Sequence, residues 1–258
     1  MLIVPHLSPG VYPLLFVAGL LAGTVDAIAG GGGLLSLPAM LAAGLPAPLA
    51  LGTNKLASTF GSGSATWSFA RRGLVRPREC LPGIALTATG AFAGAFVVRR
   101  LDPAFLGNLI PWLLAAMVVY LAFRPRLGET SRRPRLPPGV FYLSFGPGLG
   151  FYDGFFGPGT GSFWTAAFIL VRGQDFLRAA AHTKLMNFTS NVAALLLFAA
   201  GGAVVAGPGL AMGAGQLLGA RLGARLAATR GAPFIRPIFL VMAGLTVLKL
   251  LYSHLHRS

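Results

Sequence analysis

An acidic residue followed by a glycine-rich break occurs twice in the chain, each time between a long apolar segment and a shorter one. Asp26 precedes the glycine run at residues 30–33, and Asp153 precedes Gly157 and Gly159 at the same spacing. Ionisable residues are costly inside a bilayer, and glycine clusters interrupt helices. Two such breaks at corresponding places predict discontinuous membrane helices that form a transporter binding site.

The composition predicts a membrane protein. Of the 258 residues, 55% are hydrophobic and only 10% are charged, and the mean hydropathy is +0.72. Soluble domains carry about 25% charged residues, so the lipid bilayer is the expected partner of this surface. The net charge of +15 comes from arginine clusters between apolar segments. Because this distribution is typical of topology signals, no nucleic-acid partner is predicted.

The sequence predicts no cofactor, no metal site and no enzymatic activity. The single cysteine, Cys80, excludes an internal disulfide and any cysteine-based metal site. The four histidines lack ligand spacing. No serine–histidine, cysteine–histidine or metal-ligand constellation lies within the apolar segments, so nothing there would carry out a reaction.

Apolar runs bounded by proline, glycine or charge divide the chain into two halves of five segments each. The first half, residues 1–123, has segments at about 11–29, 34–45, 49–70, 81–98 and 103–123. A basic linker at 124–138 follows, and the second half, residues 139–258, has segments at about 139–156, 160–171, 178–200, 203–220 and 233–252.

Segment lengths predict the fold class, an all-α polytopic membrane protein. Most segments have 18 to 23 residues, which matches the roughly 20 needed to span the hydrocarbon core. The second segment of each half has only about 12 residues, so we expect broken or re-entrant helices there. Residues 11–29 end in a small-residue sequence like a signal-peptide cleavage site, but no positive region precedes them, which favours a first membrane segment.

The two halves resemble each other along their length. The matched residues, at offsets of 125 to 129, are Asp26 and Asp153, Gly30 and Gly157, Gly32 and Gly159, Lys55 and Lys184, Gly90 and Gly215, and Gly94 and Gly219. If every segment crosses once from an external N-terminus, 15 of the 21 basic residues lie inside and 4 outside, in agreement with the positive-inside rule. Five crossings per half, an odd number, predict inverted repeats with both termini outside.

The third and eighth segments each carry a lysine within an apolar span. Polar residues follow each lysine at helical spacing, which gives one polar stripe per helix. These residues are Lys55, Ser58, Thr59, Ser62 and Thr66 on the third segment, and Lys184, Asn187 and Asn191 on the eighth, with His182 and Thr183 beside them. A lipid-facing helix has no use for such a stripe, so both stripes are expected to face an internal polar cavity.

Together these elements predict a donor-rich, cationic cavity for a small oxyanion, such as a carboxylate, sulfonate, sulfite or sulfate. A half-helix that starts after Gly33 or Gly161 directs unpaired N–H groups and a positive dipole end inward, and two lysines add charge. The predicted substrate-binding residues are Lys55, Lys184, Asn54, Ser58, Thr59, Thr183, Asn187, Asn191, Gly31, Gly32, Gly33, Gly159, Thr160 and Gly161.

Asp26, Asp153 and His182 are the candidate proton-coupling residues. The aspartates would repel an anion unless they were protonated or paired with the lysines. Burial disfavours an ionised carboxyl, whereas a nearby lysine favours it, and this balance suits protonation coupled to transport. A structural alternative stays open, in which Asp26–Lys55 and Asp153–Lys184 are fixed ion pairs and His182 is a hydrogen-bonded core residue.

At these residues the sequence resembles the sulfite exporter TauE/SafE family, also called TSUP permeases, especially its YfcA-like members. The first signature is Gly23-Thr-Val-Asp26-Ala-Ile-Ala-Gly30-Gly-Gly-Gly33 with Leu51-Gly-Thr-Asn54-Lys55-Leu-Ala57. The second is Gly150-Phe-Tyr-Asp153-Gly-Phe-Phe-Gly157-Pro-Gly159-Thr-Gly161, followed by Thr183-Lys184. The resemblance extends over essentially the whole chain.

The resemblance implies a bacterial inner-membrane carrier with two duplicated halves that moves anions such as sulfite or organosulfonates. Both termini would then be periplasmic, and transport would proceed by alternating access. Two alternatives stay open: a passive anion channel that uses the same lysines for selectivity, and a transporter of another small organic acid. A homodimer also stays open.

Overall fold

The computed structural model describes residues 7–123 and 133–230, and all regular structure in these ranges is helical. The helices are α1 (Val11–Ala29), α2 (Gly33–Ala42), α3 (Ala47–Arg71), α4 (Leu81–Val98), α5 (Pro103–Phe123), α6 (Pro138–Phe155), α7 (Thr160–Leu170), α8 (Phe176–Ala200) and α9 (Ala206–Arg230). A short 3-10 turn, Pro77–Cys80, leads into α4. Most of the linker and the tenth predicted segment lie outside the described residues.

Local signals explain where most helices begin and end. The bounds of α1, α4 and α5 coincide with the predicted segments, and α3, α6, α7 and α8 differ by no more than two residues at either end. The Asp102 carboxylate caps α5 by accepting N–H bonds from Ala104 and Phe105 at 2.8 and 3.0 Å. The Asp175 side chain caps α8 in the same way.

The predicted end of the ninth segment at residue 220 is wrong, because α9 continues to Arg230. The arginines that indicated a loop are four residues apart, so Arg221 and Arg225 lie on the same side of a helix, and both are exposed. Ala220, Ala224 and Ala227 are buried along the same stretch. The charges therefore mark an exposed helix face and not the end of the helix.

Glycines bring the two halves into close contact. The first helix of each half lies along the fourth helix of the other half, so α1 packs on α9 and α6 packs on α4. A Cβ atom added at Gly215 would lie 2.0 Å from the carbonyl oxygen of Phe16, and one at Gly90 would lie 2.2 Å from that of Pro147. These glycines serve the close backbone approach that small residues allow in membrane helix pairs.

The order of contacts along each helix pair gives the relative helix directions. Phe16 of α1 lies against Gly215 of α9, and further along Thr24 lies against Gly223, so these helices run parallel. By the same reasoning α1, α3 and α9 run one way, and α4, α6 and α8 run the opposite way. The contacts for the other pairs are Gly61–Gln216 and Arg72–Ala224 for α3 with α9, Gly83–Tyr142 and Gly94–Phe155 for α4 with α6, Thr87–Met186 and Arg99–Leu197 for α4 with α8, and Gly52–Phe198 and Gly63–Phe188 for α3 with α8.

Three of the described helical stretches are long and apolar enough to cross a membrane: Val11–Ile28, Pro77–Val98 and Pro103–Tyr120. The predicted short segments appear as the apolar helices α2 and α7, with 10 and 11 residues. Both α3 and α8 have 25 residues and are long enough to cross. They are not among the three apolar stretches because their polar stripes lower their mean hydropathy. That polarity is buried between the halves, where it forms the candidate site.

Candidate functional site

The two glycine breaks contact each other in the middle of the molecule. The first break follows α1, where Gly30 has φ +76°, and the second follows α6, where Gly157 and Gly159 have φ +99° and +85°. A Cβ atom at Gly30 would lie 2.5 Å from the carbonyl carbon of Gly161. Glycine is therefore required at the first break both by its left-handed backbone and by the approach of the second break.

The unwound backbone is shorter than the sequence predicted. Gly33 is the first residue of α2, and Thr160 and Gly161 are the first two residues of α7. The expectation that helices start only after Gly33 and Gly161 is therefore wrong, because these glycines already have helical geometry. Among the described residues, no side chain caps the first turn of α2 or α7. The Gly32 N–H donates to Oδ1 of Asp26 at 3.1 Å.

Two lysine–aspartate pairs lie beside these breaks, and each pair joins one half to the other. Lys55 Nζ of α3 is 2.6 Å from Oδ1 of Asp153 in α6, and Lys184 Nζ of α8 is 2.7 Å from Oδ2 of Asp26 in α1. The predicted alternative had ion pairs, but its partners are wrong, because it placed each pair within one half. The partners are exchanged because the two breaks meet, which brings each aspartate to the lysine of the opposite half.

Asp153 and Lys55 form a hydrogen-bonded cluster with α8. The Lys55 ammonium also donates to the backbone carbonyl of Asp153 and, at 3.3 Å, to Oδ1 of Asn191. The Ser190 hydroxyl donates to Oδ2 of Asp153. An ammonium group has three donors, so Lys55 uses all of them, and both carboxylate oxygens of Asp153 have a partner.

The Asp26–Lys184 pair has fewer contacts and is more open. The Asp26 side chain is 23% exposed, whereas the Asp153 side chain is 5% exposed. Lys184 itself is 1% exposed, and among the described residues its ammonium donates only to Asp26. Asp26 therefore separates a buried lysine from the polar space next to it.

That space is a cavity of about 30 Å³, which has room for about two waters. It brings together eleven of the predicted site residues, which are Asp26, Gly32, Gly33, Asn54, Lys55, Ser58, Asp153, Gly159, Gly161, Asn187 and Asn191. Its remaining lining residues are Gly30, Gly157 and Gln216. Both breaks and both polar stripes therefore contribute to one site.

Six predicted site residues do not line the cavity: Lys184, Thr59, Thr183, Thr160, Gly31 and His182. The hydroxyl groups of Thr59 and Thr160 donate to backbone carbonyls in their own turns, at 2.8 and 2.7 Å. The Thr183 hydroxyl lies 3.1 Å from that of Thr165. His182 Nδ1 lies 2.9 Å from the Arg178 carbonyl, and its ring packs on Phe168.

Two residues of the site, Gln216 and Ser190, were not predicted from the sequence. Gln216 directly follows Gly215 in the small-residue stripe of α9, where its counterpart in the first half is Ala91. A long polar side chain in a stripe of small residues was the signal that could have identified it. Ser190 lies three residues after Asn187, a spacing that belongs to the same polar stripe of α8.

Two buried side-chain oxygens in the cavity wall, Oδ1 of Asn54 and Oδ1 of Asn187, have no hydrogen-bond partner in the described part of the chain. Buried polar atoms in folded proteins are almost always hydrogen-bonded. A carboxamide can also rotate by half a turn and exchange its acceptor for its donor. The cavity wall therefore offers polar groups whose bonding capacity is available to a ligand.

The prediction of a cationic cavity is wrong, because both lysines are paired with aspartates. In their ionised forms the two positive and two negative charges cancel. The site is rich in donors but has no net charge from these four residues. Within the described ranges, no group of three or more histidine, cysteine, aspartate or glutamate side chains lies close enough to hold a metal ion.

Apolar helices that enclose lysine–aspartate pairs between two broken helices define a membrane transporter. The family described as "Sulfite exporter TauE/SafE" matches residues 15–250. The chain belongs to this family of membrane transporters.

Similar proteins cover nearly the whole chain. The probable membrane transporter protein ORF9 of Sinorhizobium sp is 46% identical over 242 residues, which are 94% of this chain and 93% of that protein. The probable membrane transporter protein YfcA of Escherichia coli K12 is 43% identical over 246 residues, 95% and 91% of the two chains. A probable membrane transporter protein of Haemophilus influenzae is 42% identical over 240 residues, 93% and 94%. No solved structure matches the chain.

Proposed function

We propose that the protein is a secondary transporter that moves a small anion across the bacterial inner membrane by alternating access, coupled to protons. Sulfite, an organosulfonate or a related oxyanion is the proposed substrate class. The observation that carries this proposal is the placement of two lysine–aspartate pairs, each bridging the halves, next to one small polar cavity.

The chemistry of the cavity favours a small oxyanion. Its wall contains hydroxyl and carboxamide groups and the backbone of two helix starts that no described side chain caps, beside the charged groups of Asp26, Lys55 and Asp153. Helix N-termini are suited to anions because their N–H groups and dipole point at the ligand. At about 30 Å³ the cavity has room for only about two waters, so it favours a compact headgroup such as sulfite or sulfonate over a large substrate and would have to widen to admit one.

The charge balance of the site favours proton coupling. The two lysines and two aspartates are electrically balanced when ionised, so an anion that enters alone would add an uncompensated buried charge. Such a charge is strongly unfavourable in the membrane interior. Protonation of one aspartate removes one negative charge and lets the anion restore the balance.

The ion pairs also suggest how the halves could move. Each pair links a helix of the first half to a helix of the second, so neutralising an aspartate weakens a contact between the two halves. We infer that the halves, residues 1–123 and 139–258 joined by the linker 124–138, are inverted repeats. This inference is supported by the opposite directions of the equivalent helices α1 and α6, α3 and α8, and α4 and α9.

The contact pattern favours a carrier over a passive channel. In the described part of the chain both lysines are paired with aspartates, whereas a selectivity ring for anions would leave them facing an open pore. The cavity is also small. Saturable flux that depends on a proton gradient is therefore expected.

The test is flux in proteoliposomes, with sulfite and methanesulfonate as probes and with or without a pH gradient. Wild type should show saturable, gradient-dependent flux. Lys55→Ala and Lys184→Ala should abolish it, and Asp26→Asn and Asp153→Asn should abolish either flux or its coupling. Thr89→Val, on an exposed face of α4, is the control. Flux that does not saturate and ignores the gradient would establish a channel instead.

A further inference from the structure

We propose that the two ion pairs have different roles. Asp26–Lys184 is the pair that opens to take up the proton and the anion, whereas Lys55–Asp153 is a closed clamp that keeps the halves together. This division rests on the proposed function, because it assigns the proton and the anion of that transport cycle to one of two related pairs.

The hydrogen bonds of Lys55 and Asp153 support the clamp. Lys55 donates to a carboxylate oxygen, a backbone carbonyl and Asn191, so it has no donor left for a substrate. Asp153 accepts from Lys55 on one carboxylate oxygen and from Ser190 on the other. Protonation of Asp153 would disrupt several buried contacts at once, which makes this cluster hard to open.

The contacts of Asp26 and Lys184 support the exchanging pair. Asp26 lines the cavity and is the more exposed of the two carboxylates, at 23% against 5%. Lys184 donates one bond, to Asp26, within the described structure. Once Asp26 is protonated, Lys184 is a buried cation with no counter-charge in contact, and an anion in the cavity can supply that counter-charge.

Aligning the two halves of the sequence on their lysines explains why the pairs differ although the halves are related. Ser190, which donates to Asp153, corresponds at the same offset as the lysines to Gly61, which has no side chain to bond Asp26. The space beside Gly61 is occupied by the carboxamide of Gln216, since a Cβ atom at Gly61 would lie 2.7 Å from Gln216 Oε1. The buried Ser190 hydroxyl that donates to Asp153 therefore has no side-chain counterpart at Asp26, whose second carboxylate oxygen accepts, within the described residues, only the longer bond from the Gly32 N–H, at 3.1 Å.

The charged groups around Asp26 are few. Lys184 contacts it from α8, and Lys55 and Asp153 share its cavity from α3 and α6. From α2 and α7 no titratable side chain is present. Arg221 and Arg225 of α9 are exposed. Proton uptake makes Asp26 neutral and leaves one positive charge on Lys184, so one monovalent anion balances each proton.

The experiment measures how methanesulfonate shifts the thermal unfolding of the purified full-length protein in detergent, from about pH 5 to about pH 8. Methanesulfonate is the anion of a strong acid, so its own charge stays constant over this range. In wild type its affinity should rise as the pH falls, by up to about tenfold per pH unit, the limit for one coupled proton. Asp26→Asn, which mimics the protonated residue, should bind tightly at every pH.

Three further variants separate the two pairs. Asp26→Asn with Lys184→Met has no cation to balance and should lose the anion effect. Asp153→Asn should unfold at lower temperature but keep the pH-dependent affinity. Ser190→Ala, a milder lesion of the clamp, should behave like Asp153→Asn if that variant does not fold.

The outcomes distinguish this inference from the proposed function. If Asp153→Asn or Ser190→Ala removes the pH dependence while Asp26→Asn keeps it, the roles are reversed and the division of the pairs is wrong, although anion and proton still share the site. If methanesulfonate and sulfite stabilise none of the variants, including Asp26→Asn, the anion itself is wrong and both proposals fail.

Discussion

At the residue scale, Gln216 is the clearest departure from symmetry in the site. It lies on α9, is 4% exposed, and lines the cavity together with residues of the polar stripes of α3 and α8. Its place is defined by glycines, because a Cβ atom at Gly23 would lie 2.4 Å from its carbonyl oxygen. A neutral carboxamide so close to Asp26 can bond an oxyanion without competing for the proton.

We expect Gln216→Ala to weaken substrate binding. Loss of one hydrogen bond to a charged ligand costs about 1.5–3 kcal/mol, so KM for sulfite or methanesulfonate flux should rise by about 10-fold to 100-fold, with the maximal rate less affected. Gln174→Ala is the matched control, since Gln174 belongs to the turn between α7 and α8, outside the cavity. An unchanged KM in Gln216→Ala would show that the side chain serves only to fill space.

At the element scale, the contact between the two breaks sets the geometry of the site, and a pair of alanine substitutions tests it. At Gly161 in α7, a Cβ atom would lie 2.7 Å from the Cα atom and the carbonyl oxygen of Gly30. Gly161→Ala should therefore force the breaks apart and destabilise the protein by about 1–3 kcal/mol, with loss of flux. At Gly148 in α6, no atom would lie within 4 Å of the added Cβ, so Gly148→Ala should be neutral or stabilising by about 0.5–1 kcal/mol.

Thermal unfolding in detergent measures both variants under the same conditions. Because the two changes add the same methyl group to a helical glycine, a difference between them reports the close contacts at Gly161, with Gly30 and with Nδ2 of Asn187 at 2.9 Å, and not helix propensity. Equal stability of Gly148→Ala and Gly161→Ala would contradict the close approach of the breaks.

The helices and most residues that line the cavity were predictable from the sequence, because apolar runs, proline, glycine and the spacing of polar residues are local signals. The predicted end of α9 was too early, because arginines that lie on an exposed helix face resemble those of a loop when the packing of the opposite face is unknown. The partners of the lysines were not predictable in the same way. Periodicity tells which face of a helix is polar, but the choice between Asp26 and Asp153 depends on how distant helices meet. Gln216 was missed because a single polar residue gives no periodicity.

At the scale of the whole molecule, the reciprocal ion pairs and the helix directions describe one relation between the halves. Each half contributes an aspartate from its first helix and a lysine from its third helix. Each aspartate forms an ion pair with the lysine of the other half. Equivalent helices run in opposite directions, which an odd number of crossings per half would produce. The inverted-repeat proposal therefore accounts for both observations with a single arrangement.

The same arrangement predicts the orientation in the membrane. The ends of α3, α7 and α9 meet at one end of the bundle, where Arg72 contacts the Ala224 carbonyl at 3.5 Å and Arg172 donates to that of Leu136. This end holds most of the described arginines, whereas Arg99 and Arg100 lie at the other. By the positive-inside rule we expect the arginine-rich end to be cytoplasmic, with residue 102 periplasmic and residue 78 cytoplasmic.

Cysteine labelling in intact cells tests this orientation. In a Cys80→Ser background, Asp102→Cys should react with a membrane-impermeant maleimide added outside, since residue 102 is exposed at the predicted periplasmic end. Arg78→Cys, also exposed and in the 3-10 turn that leads into α4, should react only after the inner membrane is permeabilised. The reverse pattern would invert the topology, and labelling of both sites from outside would place the two ends of the bundle on one side.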